Sequence, residues 1–217
     1  LTKAPENAQG VFGAEKIVVE YVYRDTTKPQ TFTDVTLQVT GEAETTVDTE
    51  ELVYTVSAEG MVNLATAALK LELGGDCLAE PEVEVCGGWY IIAKTIDAGS
   101  LSLVLGNNEG VTGSGEILKL HAKTTGKVGE ASVAIAQARL SAYTDTAETY
   151  VTAVCGEAFH TRVDYSIYDV NRDGVVNQLD LTRAQRYYGT DDAVCDVDGS
   201  GEVNIADLIL ILNHYSK

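Results

Sequence analysis

The chain has 217 residues, 45% of them hydrophobic, and carries 33 acidic against 15 basic side chains for a formal net charge of -18. That length suffices for one β-sandwich or for two small units with buried cores, and the charge opposes binding to nucleic acid or to an anionic membrane surface. No run reaches the roughly 18 apolar residues of a spanning helix, so membrane insertion is not expected.

In chain order, the sequence opens on Leu1, which reads as a processed chain or an excised fragment. Ile17 to Arg24 (Ile-Val-Val-Glu-Tyr-Val-Tyr-Arg) predicts one strand, and the polar stretch after it closes on Pro29. Residues 1–28 are therefore expected to be a linker or the tail of an upstream module; an added edge strand, or the first strand of the next domain, are the alternatives.

From Phe32 to about Val154, short alternating runs are broken by glycine, asparagine, aspartate and threonine. Val35, Leu37 and Val39 alternate with polar neighbours, and so do Ala67, Leu69, Leu71 and Leu73. Leu101, Leu103 and Leu105 repeat the pattern. Leu118, Leu120 and Ala122 continue it after a turn expected at Gly113-Ser114-Gly115, and Val133 with Ile135 follows the turn signal at Gly126 to Gly129. Period two buries one face and wets the other. Strands at this spacing, without helical segments between them, predict a mostly β unit over residues 29–155, an antiparallel β-sandwich or jelly roll.

Trp89 and Tyr90, beside Gly87-Gly88, form one aromatic pair, and Tyr21 and Tyr23 share a strand face. Either could stack on a sugar ring, but a lone pair with no third aromatic in register reads better as core or as an edge plug. Cys77, Cys86, Cys155 and Cys195 show no C-x-x-C pair and no histidine at zinc spacing, so two disulfides in an oxidising compartment are expected, with buried thiols as the alternative. Cys77 and Cys86 flank a hairpin-like segment, and Cys155 and Cys195 bracket the start of the C-terminal region. The expected pairings are Cys77–Cys86 and Cys155–Cys195. Glycoside hydrolysis needs two carboxylates converging across a cleft, and no scaffold for such a pair is legible. His121, His160 and His214 lie in unrelated contexts, so no catalytic residue is assigned and an enzyme is not expected.

After Val154 the texture changes to a tandem repeat. Residues Asp169 to Asp180 (Asp-Val-Asn-Arg-Asp-Gly-Val-Val-Asn-Gln-Leu-Asp) align with Asp196 to Asp207 (Asp-Val-Asp-Gly-Ser-Gly-Glu-Val-Asn-Ile-Ala-Asp) at a constant offset of 27. Each has the spacing of a 12-residue calcium loop, which must wrap six to eight hard oxygens around the ion at about 2.3 to 2.6 Å. Side chains at positions 1, 3 and 5 supply Asp169, Asn171 and Asp173 in the first loop and Asp196, Asp198 and Ser200 in the second. Gly174 and Gly201 take the sharp turn at position 6. Position 7 offers the carbonyl of Val175 or Glu202, position 9 is Asn177 or Asn204, and position 12 closes the site with Asp180 or Asp207. Two calcium ions are expected. At Ser200 a hydroxyl replaces a carboxylate, so the second site is expected to be the weaker. His160 to Tyr168 is β-rich and does not supply the helix that precedes a standard EF-hand loop. Leu181, Ala184 and Tyr188, and one repeat later Leu208, Ile211 and Tyr215, are expected to pack the two exiting helices together.

This duplicated loop and helix unit resembles the dockerin family over about residues 164–217, through Asp-Val-Asn-Arg-Asp-Gly-Val-Val-Asn and Asp-Val-Asp-Gly-Ser-Gly-Glu-Val-Asn, each followed by Asp-Leu after two residues. The resemblance implies a small α module of two calcium loop-helix repeats, after a linker at 156–163, that docks onto a cohesin module of another protein in a cellulosome or similar assembly. It also implies recognition residues at loop positions 10 and 11 and along the following helix. These are Gln178, Leu179, Gln185 and Arg186 in the first repeat, and Ile205, Ala206, Leu212 and Asn213 in the second. Leu212 is the apolar member most expected to pack internally instead.

The sandwich is similar to cohesins in the order of Leu52 to Val56, Val62 to Ala65, Ala67 to Leu73 and Gly113 to Leu120. It departs from them at Gly74-Gly75-Asp76, where that family often carries a tyrosine-aspartate pair. Carbohydrate-binding and immunoglobulin-like sandwiches share the pattern, and fold alone does not fix function. The implied role is an extracellular, secreted or cell-surface adaptor. Whether the sandwich binds a dockerin or a polysaccharide, or only spaces other domains, stays open.

Overall fold

The computed structural model describes residues 32–97, 99–144 and 148–216. The expectations for residues 1–28, including the Tyr21 and Tyr23 face, lie outside them. Among the described residues ten strands and two helices follow in order: β1 (Val35–Thr40), β2 (Glu44–Thr46), β3 (Leu52–Gly74), β4 (Glu82–Val85), β5 (Tyr90–Asp97), β6 (Ser100–Ala122), β7 (Gly129–Tyr143), β8 (Glu148–Val151), β9 (Ala153–Cys155), β10 (Phe159–Asp164), α1 (Gln178–Arg186) and α2 (Ile205–Asn213). No helix among the described residues is long and apolar enough to cross a membrane.

Two long strands organise the sandwich. The first part of β3 pairs with β1 on one side and with the end of β6 on the other, as in Val56 opposite both Val39 and Leu118. Its second part pairs with the start of β6 and with β7, as in Leu69 opposite Leu103 and Ala138. Between these parts, from Ser57 to Thr66, the register against β6 shifts repeatedly. Asn63, Gly60, Gly110 and Gly113 take positive φ there. A side chain at Gly110 would meet the Asn63 backbone at 3.2 Å, so the strands approach through glycine. The chain bends at this point without turning back. The turn expected at Gly113-Ser114-Gly115 is thus a bulged stretch inside β6, with Gly113 opposite Met61 and Gly115 opposite Ala58.

The bend folds one curled sheet into two layers, β4-β6-β3-β1-β9 and β5-β6-β3-β7-β10-β2, with β8 on β7. The alternating residues fill a single core between them: Val35 and Leu37 of β1, Tyr54, Leu69 and Leu71 of β3, and Leu101, Leu103, Leu105, Leu118 and Leu120 of β6 are all essentially fully buried. Trp89 belongs to this core. Tyr90 is exposed, and its hydroxyl donates to Asn108 Oδ1 at 2.8 Å.

Residues 156–163, expected as a linker, are largely strand. Phe159 to Val163 pair with Val133 to Gly129 of β7, and β2 adds to the other side of β10. The cause is again alternation, since Thr161 and Val163 are fully buried. The Thr161 hydroxyl accepts from Tyr54 and donates to the Glu42 carbonyl.

The two expected disulfides are absent, and all four cysteines are free thiols. The Cys77 carbonyl accepts from the Thr125 N–H, while the Cys86 N–H donates to the Ile117 carbonyl. The segment between them therefore runs out along β6, and a span from 117 to 125 at about 3.3 Å per residue far exceeds the roughly 7 Å Cα separation a disulfide bridges. Cys155 is exposed on β9 beside Leu37. Cys195 is fully buried in the core of the C-terminal unit, where burial and the nearby Asp192 push its thiol up to about 11.

That C-terminal core repeats at the offset of 27. Val170 and Val197, Val176 and Val203, Leu181 and Leu208, and Ala184 and Ile211, equivalent residues of the two repeats, all belong to one cluster. The two repeats are tied reciprocally: the Gly189 N–H donates to the Val203 carbonyl, and the Ser216 N–H donates to that of Val176. Tyr215 packs against this core as expected, but Tyr188, at the equivalent place one residue past the cap of α1, is exposed.

Candidate functional site

Each helix begins where an acidic loop ends. Asn177 and Asn204 cap α1 and α2 by accepting the backbone N–H two residues on, and Asp180 and Asp207 return a carboxylate oxygen to the cap's own N–H, completing capping boxes. The capping aspartate is also the twelfth residue of its loop. In the first loop Asp180 accepts from Asn171 N–H (3.0 Å) and Asn177 N–H (2.8 Å), and in the second Asp207 accepts from Asp198 N–H (3.1 Å) and Asn204 N–H (2.8 Å).

The first residue of each loop is held in the same way. Asp169 accepts from Asp173 N–H (3.2 Å) and Gly174 N–H (2.8 Å), and Asp196 from Ser200 N–H (3.0 Å) and Gly201 N–H (2.7 Å). Gly174 and Gly201 sit at φ 93° and 92°, with open space where a Cβ would stand, so the turn requires glycine for its backbone conformation alone.

Backbone donors thus aim both ends of each loop inward. Asp180 and Asp207 are fully buried and Asp169 nearly so. Burial pushes the Asp169 carboxyl above its ordinary value against the N–H groups of Gly174 and Asp173, whereas the Ser200 hydroxyl draws Asp198 below it. Among the described residues no ion pair reaches any of the loop carboxylates. Buried carboxylates without a counter-charge, with a carbonyl oxygen at position 7, form a donor set that fits a hard dication. The second loop is the more converged: oxygens of Asp196, Asp198 and Asp207 lie within 4.8 Å of one another, the one such group of three among the described residues. Ser200 alone does not make it the weaker site, because Asn171 is equally neutral at position 3 and each loop keeps three carboxylates at its side-chain ligand positions.

The expected recognition residues lie on the outside. Gln178, Leu179, Gln185 and Arg186 are exposed on the first repeat, and Ile205, Leu212 and Asn213 on the second, with Ala206 half-buried. Leu212 does not pack internally; it is 52% exposed. Ile205 and Ile209 are 59% and 49% exposed, so residues i, i+4 and i+7 of α2 form an aliphatic stripe facing solvent. Ile209 was not among the expected residues. Its signal was that α2 is apolar on more sides than its core stripe of Leu208 and Ile211 uses. The same places on α1 hold Gln178, Thr182 and Gln185, and Thr182 donates its hydroxyl to the Gln178 carbonyl.

Residues 167–215 match the family described as the dockerin type I domain. No curated protein matches the chain significantly. Among solved structures, the seventh ScaB type I cohesin from Pseudobacteroides cellulosolvens superposes with a TM-score of 0.52 at 13% identity, covering 61% of this chain and 94% of that one. A cohesin module from a Clostridium perfringens family 33 glycoside hydrolase gives 0.52 at 10%, covering 62% and 99%. A type I cohesin–dockerin complex from Clostridium thermocellum gives 0.50 at 10%, covering 64% and 99%. These likenesses concern the fold.

Proposed function

We propose that this chain, a cohesin-like β-sandwich followed by a dockerin type I module, is a non-catalytic extracellular adaptor whose calcium-loaded dockerin docks onto a cohesin of another protein in a cellulosome-like assembly. Dockerin and cohesin domains are themselves non-catalytic modules. Asp169, Asn171, Asp173, Asp180 and the Val175 carbonyl would hold one calcium, with Asn177 acting through water. Asp196, Asp198, Ser200, Asp207 and the Glu202 carbonyl would hold the other, with Asn204 in the corresponding place. The ions would neutralise the buried carboxylates and fix the loops from which α1 and α2 start.

The observation that carries the reading is the stripe of Ile205, Ile209 and Leu212, three large aliphatic side chains kept in water on the module that matches the dockerin family. Such a stripe supports docking against an apolar surface. Affinity of the full chain for a panel of type I cohesins, measured by calorimetry, tests it. Ile205→Asp should abolish binding while Gln178→Asp has a minor effect; equal losses from the two would count against the stripe. The cohesin-like fold of residues 35–164 supports reading the sandwich as the second end of the adaptor. The burial of Trp89 argues against a Trp89–Tyr90 sugar platform, and pull-down with dockerins alongside insoluble polysaccharide separates the two roles.

A further inference from the structure

Although the two loops share a ligand pattern, their surroundings differ, and apart from the Ser200 hydroxyl, which replaces a carboxylate at position 5 and donates to Asp196 Oδ1 at 3.4 Å, the differences favour the second loop. Residues 169–180 carry a formal charge of -2, because Arg172 offsets one of three aspartates, whereas residues 196–207 carry -4, because Glu202 adds to three. Neither Arg172 nor Glu202 needs its side chain as a ligand, yet both act on a dication through space, and each unit of charge at such range changes affinity severalfold even in water. Position 4 is left-handed in both loops. In the second it is Gly199 (φ 69°), and in the first Arg172 (φ 60°), a conformation that costs a side-chain-bearing residue energy.

Preorganisation differs as well. In the second loop three carboxylates already converge within 4.8 Å. In the first, the Asn171 amide donates to Asp173 Oδ2 at 3.0 Å, and the other Asp173 oxygen accepts from Val175 N–H at 3.0 Å. A cation binding there must first displace the Asn171 amide from the carboxylate it needs.

We infer that the two loops load in order: the second, Asp196 to Asp207, takes calcium first and at least about tenfold more tightly, and the first, Asp169 to Asp180, fills last. The inference rests on reading both loops as calcium sites. It makes the first repeat, with its polar helix face, the part of the module whose state responds when calcium is limiting.

The Gly174 and Gly201 amides each donate to the first carboxylate of their own loop, so they report the two sites separately. In a calcium titration of the full chain followed by heteronuclear NMR, the Gly201 signal should saturate at roughly tenfold lower free calcium than that of Gly174. Simultaneous saturation, or Gly174 saturating first, overturns the order. Should folding merge the two signals, calorimetry on Arg172→Gln and Glu202→Gln decides, since neither change removes a ligand: the first should tighten only the weaker step and the second weaken only the tighter one, each severalfold. No change in either variant also overturns the inference. Absence of calcium binding in the unaltered chain would instead remove the calcium reading itself.

Discussion

His121 shows how a single residue can join three parts of the sandwich. Its Nδ1 lies 2.9 Å from Glu51 Oε1 and its Nε2 2.9 Å from Glu84 Oε2, so both ring nitrogens face carboxylates and both bonds form only when the ring is an imidazolium. Glu84 first, and then Glu51, raise its pKa above the ordinary value. Because the folded value is the higher one, the stabilisation is complete below the unfolded pKa of about 6.5 and is lost as pH rises through the folded value. The cluster is partly exposed, which keeps its contribution at or below about 1 kcal/mol. His121→Gln should therefore lower the denaturant midpoint at pH 6 and leave it unchanged at pH 9, and a loss of equal size at both would mean that packing, not charge, is at stake. The sequence showed His121 only as an isolated histidine, since the partners that define it arrive from 37 and 70 residues away. The loop aspartates were legible because their partners are local. The cysteines misled for the same reason: spacing said nothing of the extended path that separates Cys77 from Cys86.

At the scale of elements, alternation located the buried residues of β1, β3, β6 and β7 but not the continuity of β3 and β6. A bulge and a turn both use glycine, and only pairing across the sheet distinguishes Gly113 within a strand from Gly126 between strands. The two helices are legible to their caps, yet which face is wet depends on the partner helix. The reciprocal ties of Gly189 to Val203 and Ser216 to Val176 relate the repeats by an approximate half-turn. Were the exposed faces alike, a partner could engage either repeat. Here Ile205, Ile209 and Leu212 stand where the other repeat has Gln178, Thr182 and Gln185, so one orientation should dominate by more than a tenfold preference, about 1.4 kcal/mol. Ile209→Asp should weaken cohesin binding as severely as Ile205→Asp, while Thr182→Asp leaves it nearly intact. Comparable losses from Ile209→Asp and Thr182→Asp, or a complex captured in both orientations, would refute the single orientation.

Over the whole molecule, the two cores are unequal. The sandwich buries two layers of aliphatic side chains, whereas the C-terminal unit fully buries Val170, Ala184, Cys195, Val203 and Ile211 with little else. So small a core is marginal by itself. Its chain ends are joined by the stack of Tyr168 on His214, with ring centroids 3.7 Å apart, and by the Ser216 bonds to Val176, contacts that also depend on the loops holding shape. On the proposed calcium reading, removing the cations would leave buried carboxylates to repel one another, and the stability of the unit should then follow that of its calcium loops. Among the described residues the sandwich holds no carboxylate cluster of this kind, and β10 belongs to it through its pairing with β7 and the Tyr54–Thr161 bond. Chelation should therefore unfold the chain from about Tyr165 onward and stop there. In hydrogen exchange with chelator, amides of Ala184 and Ile211 should lose protection while those of Thr161 and Val163 keep it. Protection persisting at Ile211 would show that the C-terminal unit folds without metal, and protection lost at Val163 as well would show that the two units unfold as one.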